Sequence, residues 1–426
     1  MKEDGNLRKL VAKLKNSRLP LFIFGAGAAG QVLLQSCLDQ GLEITGFCDD
    51  NIKKKDSLVA DVKVYHTYDV KSIFPEAHFI ISAADIHDMI EKLHACGYDK
   101  SVLHSSVLFL ENYDLSNFYN FQNNNEEDTQ KGFVEFAVKA TLSCQKGFVN
   151  PEKVFMRSVD IVVTERCSMK CKDCSNLMQF FENPVNYREQ DLKEAVDLLA
   201  EFADEIHEVR VIGGEPLMNK EWHLVVENLT SKHNIKRIVI YTNGMIVPKA
   251  HQLNSLKNDK VIFMITDYTG IFGDDAPNRK TANLSKSKKQ VDKLESLCQQ
   301  EGIDYRRHPP ENWTDCGRIE DFDRTIEENK EVFRSCCCKN LITLSEGELH
   351  RCPFSAQITR LKVINEESDY VLLTKDSTEG QIKKDLRSLL FEKDYIKACN
   401  YCPGRRLSDA QIVPAVQAEK VIPIIL

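Results

Sequence analysis

From about residue 156 onward, short apolar runs alternate with amphipathic helical patterns, and this alternation restricts the fold more than any other feature of the chain. The strand candidates are SVDIVVTE, EVRVIGG, KRIVIYTNG, VIFMITDY and GIDYRRHP. Helical patterns fall between them at about 188–206, 219–231, 248–257 and 286–301. Strands separated by helices make parallel β/α units, because a parallel neighbour needs a crossover connection. The expectation is a sheet closed or partly closed into a barrel, with its active face at the C-terminal strand ends. From about residue 310 the alternation is lost.

A second α/β segment precedes this one. LPLFIFGAGAAGQVLLQSCLDQG reads as strand, glycine-rich turn and helix, EITGFCDDN as a second strand ending in acids, and FIISAAD as a further strand. IHDMIEKLHACGYD reads as a helix stopped at Gly97. Between 113 and 155 the pattern weakens, with NNNEED as a polar turn and KGFVEFAVKATLSCQKG as a connecting helix. The domain expectation is therefore 1–112, a linker and helix over 113–155, a barrel-like domain over 156–310, and a cysteine-rich domain over 311–426. The fold class is α/β.

With 426 residues, 42% apolar and 28% charged, the chain has material for two or three globular domains. A net charge of −8 supplies no cationic field for nucleic acid or a membrane surface. No run reaches the ~18 apolar residues of a membrane helix, and MKEDGNLRKL is not a secretory signal. The expected location is the cytoplasm, with neither nucleic acid nor membrane as partner.

Fifteen cysteines in such a chain point to metal or catalysis rather than disulfides. Cys37, Cys48, Cys96, Cys144 and Cys298 are scattered and read as inert. The other ten form two groups. In TERCSMKCKDCSN, Cys167, Cys171 and Cys174 follow the first strand of the alternating region at C-x3-C-x2-C spacing. Three thiolates can hold three irons of a [4Fe–4S] cube and leave the fourth iron open, whereas zinc wants a fourth protein ligand that this loop lacks.

This spacing after the first strand resembles the radical S-adenosylmethionine (SAM) superfamily. The resemblance implies that the open iron binds SAM, whose cleavage yields a 5′-deoxyadenosyl radical. It further implies that Gly213, Gly214 and Glu215 of VIGGEP, and Thr242 and Asn243 of YTNG, contact SAM. Asp173 departs from the aromatic that many members carry before the third cysteine.

The second group holds Cys316, Cys336, Cys337, Cys338, Cys352, Cys399 and Cys402. With Gly347, the run of three and Cys352 resemble the hairpin that opens a SPASM or twitch extension. That implies an auxiliary [4Fe–4S] cluster on Cys352, Cys399, Cys402 and one of Cys336, Cys337 and Cys338. A zinc site on the same ligands is the alternative. A cluster with four thiolates has no open iron, so electron transfer is its use. Cys316 is a candidate hydrogen donor, or a structural thiol.

In FGAGAAG, Gly25, Gly27 and Gly30 sit between strand and helix, and Asp49 ends the next strand. This is a Rossmann-like fingerprint: a tight turn, close phosphate approach and an acid for ribose hydroxyls. With GFCDDN, the segment resembles the nucleotide-sugar-binding domain of PglD-type sugar acyltransferases. NAD binding and a retained scaffold remain open.

Taken together, these resemblances imply a radical SAM oxidoreductase or epimerase, acting on a sugar or sugar nucleotide in carbohydrate biosynthesis. A flavodoxin- or ferredoxin-type reductant would supply electrons. The alternatives are a peptide-modifying maturase and a non-catalytic nucleotide-sensing Fe–S scaffold.

Overall fold

The computed structural model describes residues 2–121, 128–270, 284–311, 313–375, 378–406 and 409–426. Most of the NNNEED stretch, residues 123–127, lies outside the described residues. The chain divides into two compact units, Met1–Phe155 and Met156–Leu426. Among the described residues no helix is long and apolar enough to cross a membrane.

In unit 1 the strands are β1 (Leu21–Phe24), β2 (Gly46–Asp49), β3 (Leu58–Val59), β4 (Val62–His66), β5 (His78–Ile81) and β6 (Leu103–Ser105). They make one sheet in the order β3-β4-β2-β1-β5-β6, parallel except for the β3–β4 pair. The helices are α1 (Lys2–Ser17), α2 (Ala28–Asp39), α3 (Thr67–Ile73), α4 (Ile86–Ala95), α5 (Val107–Leu110), α6 (Leu115–Phe121) and α7 (Asp128–Val149).

All four residues of β1 and of β5 are buried, as a parallel strand covered on both faces requires. Alternate side chains feed two cores. Leu21 and Ile23 pack with Val11, Leu33 and Val138 on one face, while Phe22 and Phe24 pack with Phe79, Ile86 and Leu93 on the other. The segment 113–155 belongs to this unit. From α7, Gln145 donates to the carbonyls of Ile81 (2.8 Å) and Ala83 (2.9 Å) and accepts from Ser106 N (2.9 Å), closing the ends of β5 and β6.

Unit 2 is built on β7 (Phe155–Thr164), β8 (Glu205–Gly213), β9 (Ile235–Thr242), β10 (Val261–Thr266), β11 (Tyr305–His308), β12 (Trp313–Thr314), β13 (Ile342–Ser345), β14 (Glu348–His350), β15 (Tyr370–Leu372) and β16 (Gln411–Ile412). Eight of these form a sheet in the order β11-β10-β9-β8-β7-β13-β14-β15, and β12 pairs with β16. The pairs β11–β10, β10–β9, β9–β8 and β7–β13 are parallel, while the β13–β14–β15 meander is antiparallel. The helices are α8 (Glu189–Phe202), α9 (Trp222–Thr230), α10 (Leu284–Glu301), α11 (Ile326–Ser335), α12 (Pro353–Arg360) and α13 (Glu379–Arg387).

Two features differ from the sequence pattern. The helical pattern at 248–257 is a 3-10 turn over Ala250–Leu256, fixed by Gln252, which accepts from Lys249 N (2.9 Å) and donates to Lys220 O (3.1 Å). The strand beside β7 comes from beyond residue 310: Ile342 registers with Val159 and Leu344 with Ile161. Four residues inside a cysteine-rich stretch are too short for periodicity to reveal.

Candidate active site: two cysteine groups and a glycine loop

The loop after β7 is locked to the end of β8 by glycine. Gly214 N donates to Thr164 O (3.0 Å) and Glu215 N to Arg166 O (2.8 Å). A Cβ at Gly213 would stand 2.2 Å from Thr164 O, and one at Gly214 2.3 Å from Arg166 O. Any larger residue would therefore push β8 away from the cysteine loop.

Beneath this junction Glu215 is buried. Its carboxylate accepts from Thr242 Oγ1 (2.8 Å), Asn243 N (2.8 Å) and Leu217 N (3.2 Å). Burial pushes its pKa up to about 7, against the opposing pull of those hydrogen bonds. Asn243 Nδ2 donates to Ser168 Oγ (3.1 Å), so the end of β9 is also tied to the cysteine loop. Gly213, Gly214, Glu215, Thr242 and Asn243, the residues expected from sequence to contact SAM, are thus brought together around residues 164–168.

Cys167, Cys171 and Cys174 pack together with Met169, Ala415, Tyr268 and Trp313. Burial raises all three thiols, and for Cys171 the neighbouring Cys174 and Cys167 add to it. Backbone amides oppose the rise, those of Met169 and Lys170 at Cys167 and of Met178 and Asn176 at Cys174. Mutually repelling thiolates that already receive amide hydrogen bonds suit a cationic metal centre, and such hydrogen bonds tune cluster sulfurs. Residues 415–418 cover the loop: Lys172 N donates to Val416 O (2.8 Å) and Ala418 N to Lys170 O (2.8 Å).

The second group converges on an apolar cavity. Cys336, Cys352, Cys399 and Cys402 line it with Phe333, Phe354, Ile396 and Ala398. Amides again reach the sulfurs: Cys338 N to Cys336 (3.3 Å), Ser355 N to Cys352 (3.4 Å) and Gly404 N to Cys402 (3.4 Å). Cys337 is exposed. Cys338 faces Arg405, whose Nη1 donates to its sulfur at 3.3 Å. Hydrogen bonds from the Cys336 and Cys337 thiols, together with the Arg405 guanidinium, draw the Cys338 thiol well below the usual range. Cys316 is buried and within electrostatic reach of Cys174 in the first group and of Cys402 and Cys338 in the second.

Among the described residues no group of three or more His, Cys, Asp or Glu side chains is set to hold a single metal ion. A lone tetrahedral zinc needs its sulfurs about 4 Å apart, from a Zn–S bond of about 2.3 Å. A cube carries its thiolates on the corners of a larger body.

Pattern reading missed the residues that fix these loops. Arg324 Nη1 donates to Cys399 O (2.6 Å) and Cys402 O (2.7 Å), and Asp369 accepts from Lys397 N and Ala398 N, both at 2.8 Å. Gln179 Nε2 bridges Cys174 O (3.3 Å) and Gly317 O (2.8 Å). A Cβ at Gly317 would stand 2.5 Å from the Asp173 backbone, so the glycine itself is a sequence signal that could have marked this approach.

In unit 1, two of the three loop glycines are needed by packing. Gly25 has φ +105°, and a Cβ at Gly30 would fall 1.9 Å from Gly25 O. A Cβ at Gly27 would meet nothing within 4 Å. Asp49 accepts from Ala26 N (2.9 Å), Asn51 N (2.9 Å) and Lys54 Nζ (3.0 Å). Burial works to raise its pKa, but those amides and the ammonium hold it below the usual range.

The model of the Radical SAM superfamily matches residues 161–269. Among curated proteins, GTP 3′,8-cyclase of Aquifex aeolicus is 24% identical over 126 residues, which is 25% of this chain and 39% of that protein. GTP 3′,8-cyclase of Helicobacter pylori strain 26695 is 27% identical over 130 residues, again 39% of its length. The chain thus spans about two-fifths of the length of these relatives. The structure of BtrN with AdoMet and 2-DOIA is 16% identical, with a TM-score of 0.34 over 63% of this chain and 98% of that one. Native anSMEcpe with AdoMet and the Kp18Cys peptide is 12% identical, with a TM-score of 0.35 over 63% and 92%. The chain carries a radical SAM domain, of the superfamily that uses a [4Fe–4S] cluster and SAM.

Proposed function

We propose that this protein is a radical SAM enzyme with a second [4Fe–4S] cluster, oxidising or epimerising a sugar or sugar nucleotide. The single observation behind this reading is the gathering of the cysteines into two separate groups, each supplied with backbone amides. Cys167, Cys171 and Cys174 would hold the SAM cluster. Gly213, Gly214, Glu215, Thr242 and Asn243 would hold SAM, with one acceptor position of the Glu215 carboxylate still free for its ammonium group. A cluster held by these thiolates would supply the electron for reductive cleavage of SAM to a 5′-deoxyadenosyl radical.

For the second cluster we assign Cys336, Cys352, Cys399 and Cys402, since Cys337 is exposed and Cys338 is engaged by Arg405. Four thiolates leave this cluster suited to accepting the substrate's electron, which favours oxidation. In an epimerisation, Cys316 would be the thiol that returns hydrogen. The GTP 3′,8-cyclase likeness covers 25% of this chain and 39% of those proteins, and so does not set the substrate.

The sugar-nucleotide assignment rests on unit 1. The packing role of Gly25 and Gly30 accounts for their being glycine, whereas Gly27 has no such reason within the fold. An approaching diphosphate at the N-terminus of α2 gives it one. The test is anaerobic reconstitution with a flavodoxin-type reductant, followed by a search for mass changes among UDP-sugars. Turnover of a peptide, with no UDP-sugar altered, would overturn the substrate class.

A further inference from the structure

Helix α12 carries a cysteine of the second group at one end and an arginine at the other. Cys352 caps its N-terminus and Arg360 is its last residue. Eight helical residues span about 12 Å. At the far end, Arg360 Nε lies 2.7 Å from Oε1 of Glu165, two residues before Cys167. The Glu165 side chain is 0% exposed, and it also accepts from Val185 N (2.9 Å) and Tyr187 OH (3.0 Å). Arg360 Nε further donates to Tyr187 OH (3.2 Å) and stands 3.4 Å from Glu346 in the β13–β14 turn. Among the described residues, Arg360 is the cation paired with this buried carboxylate. Burying a carboxylate is unfavourable without such a partner, so the position of Glu165 depends on Arg360.

We propose that Arg360 is a positioning residue for the SAM-cluster loop, and that α12 is a strut through which the auxiliary cavity sets the geometry of residues 165–174. The inference rests on the two-cluster reading above. Loss of the auxiliary cluster loosens the Cys352 end of α12, the Arg360 end follows, and Glu165 carries the displacement to Cys167. Such a coupling is a free energy shared by both sites, so it shows as non-additivity between changes made at each.

The experiment is calorimetric titration of SAM into anaerobically reconstituted full-length protein, with electron paramagnetic resonance of the reduced cluster with and without SAM. Cys399→Ala/Cys402→Ala is expected to weaken SAM binding about fivefold or more, the lower end of ordinary couplings. Arg360→Met should do the same while retaining its iron. The three changes together should be no worse than either set alone, and Arg360→Lys should recover part of the loss and of the SAM-induced spectral change. If Arg360→Met does not fold, Glu165→Gln/Arg360→Met, which removes the buried charge with its partner, takes its place under the same expectation. Effects that multiply, or SAM affinity in the arginine variant within about twofold of wild type, overturn the strut alone, because coupled sites differ by at least about fivefold. Wild-type protein with about four irons overturns the auxiliary-cluster reading and the strut together.

Discussion

On the proposed reading, the chemistry depends on Cys167, Cys171 and Cys174. Replacing all three with alanine is expected to abolish 5′-deoxyadenosine formation under a low-potential reductant, since cluster potentials extend down to roughly −700 mV. Persistent product, measured by chromatography, would sink the radical SAM reading. Glu215 gives a pH signature. Burial raises its pKa from 4.5 to about 7, so it is largely neutral below that pH in the SAM-free protein. An ammonium partner binds the ionised form, so SAM affinity should rise as pH climbs through about 7 and then level. Glu215→Gln should flatten the profile. The same shift acts on folding with the opposite slope. A carboxyl raised on folding contributes fully below its unfolded value of 4.5, and that contribution is lost as pH rises to about 7.

At the scale of elements, the glycine loop and the cysteine hairpin each make a prediction. Gly27→Val has room in the fold and should weaken UDP-sugar binding by calorimetry while leaving SAM cleavage intact. Gly30→Val drives a side chain into Gly25 O, so it should lower the melting temperature of unit 1. Equal melting temperatures for the two variants would refute the distinction. In the hairpin, wild-type protein should hold about eight irons, four per cube, and Cys399→Ala/Cys402→Ala about four. Cys336→Ala should resemble the double variant, whereas Cys337→Ala should keep its iron. The opposite pattern would move the ligand along the run.

These elements also show how far the sequence could be read. The triplet, the Gly-Gly-Glu turn and the glycine loop were legible because each is local: a strand end, a turn and a fixed spacing. The parallel strands β7 to β11 were legible from their apolar runs. Arg324 on the Cys399–Cys402 loop and Arg360 on Glu165 were not, because their partners lie 75 or more positions away in the chain. Cys336, Cys337 and Cys338 are chemically identical neighbours, and only packing separates a cavity-lining thiol from an exposed one.

For the whole molecule, the proposed pair of clusters makes the outcome of the reaction depend on the relation between them. If the second cluster accepts the substrate electron, Cys399→Ala/Cys402→Ala should still transfer substrate hydrogen to 5′-deoxyadenosine without releasing oxidised product. Turnover in deuterated water then separates the alternatives. A dehydrogenase places no solvent deuterium at the attacked carbon, whereas an epimerase using the Cys316 thiol places one there. Mass spectrometry of the product reads this directly.

The cover over the first cysteine loop has a consequence for how the protein matures. Residues 415–418 pair with Lys170 and Lys172, so the loop is completed by chain that lies about 244 positions after Cys171. At about 5–20 residues per second on the ribosome, the three thiols emerge roughly 12–50 s before their cover exists. Throughout that interval the three thiols lack this cover. Only when residues 415–418 dock does the loop gain the two backbone hydrogen bonds that cover it.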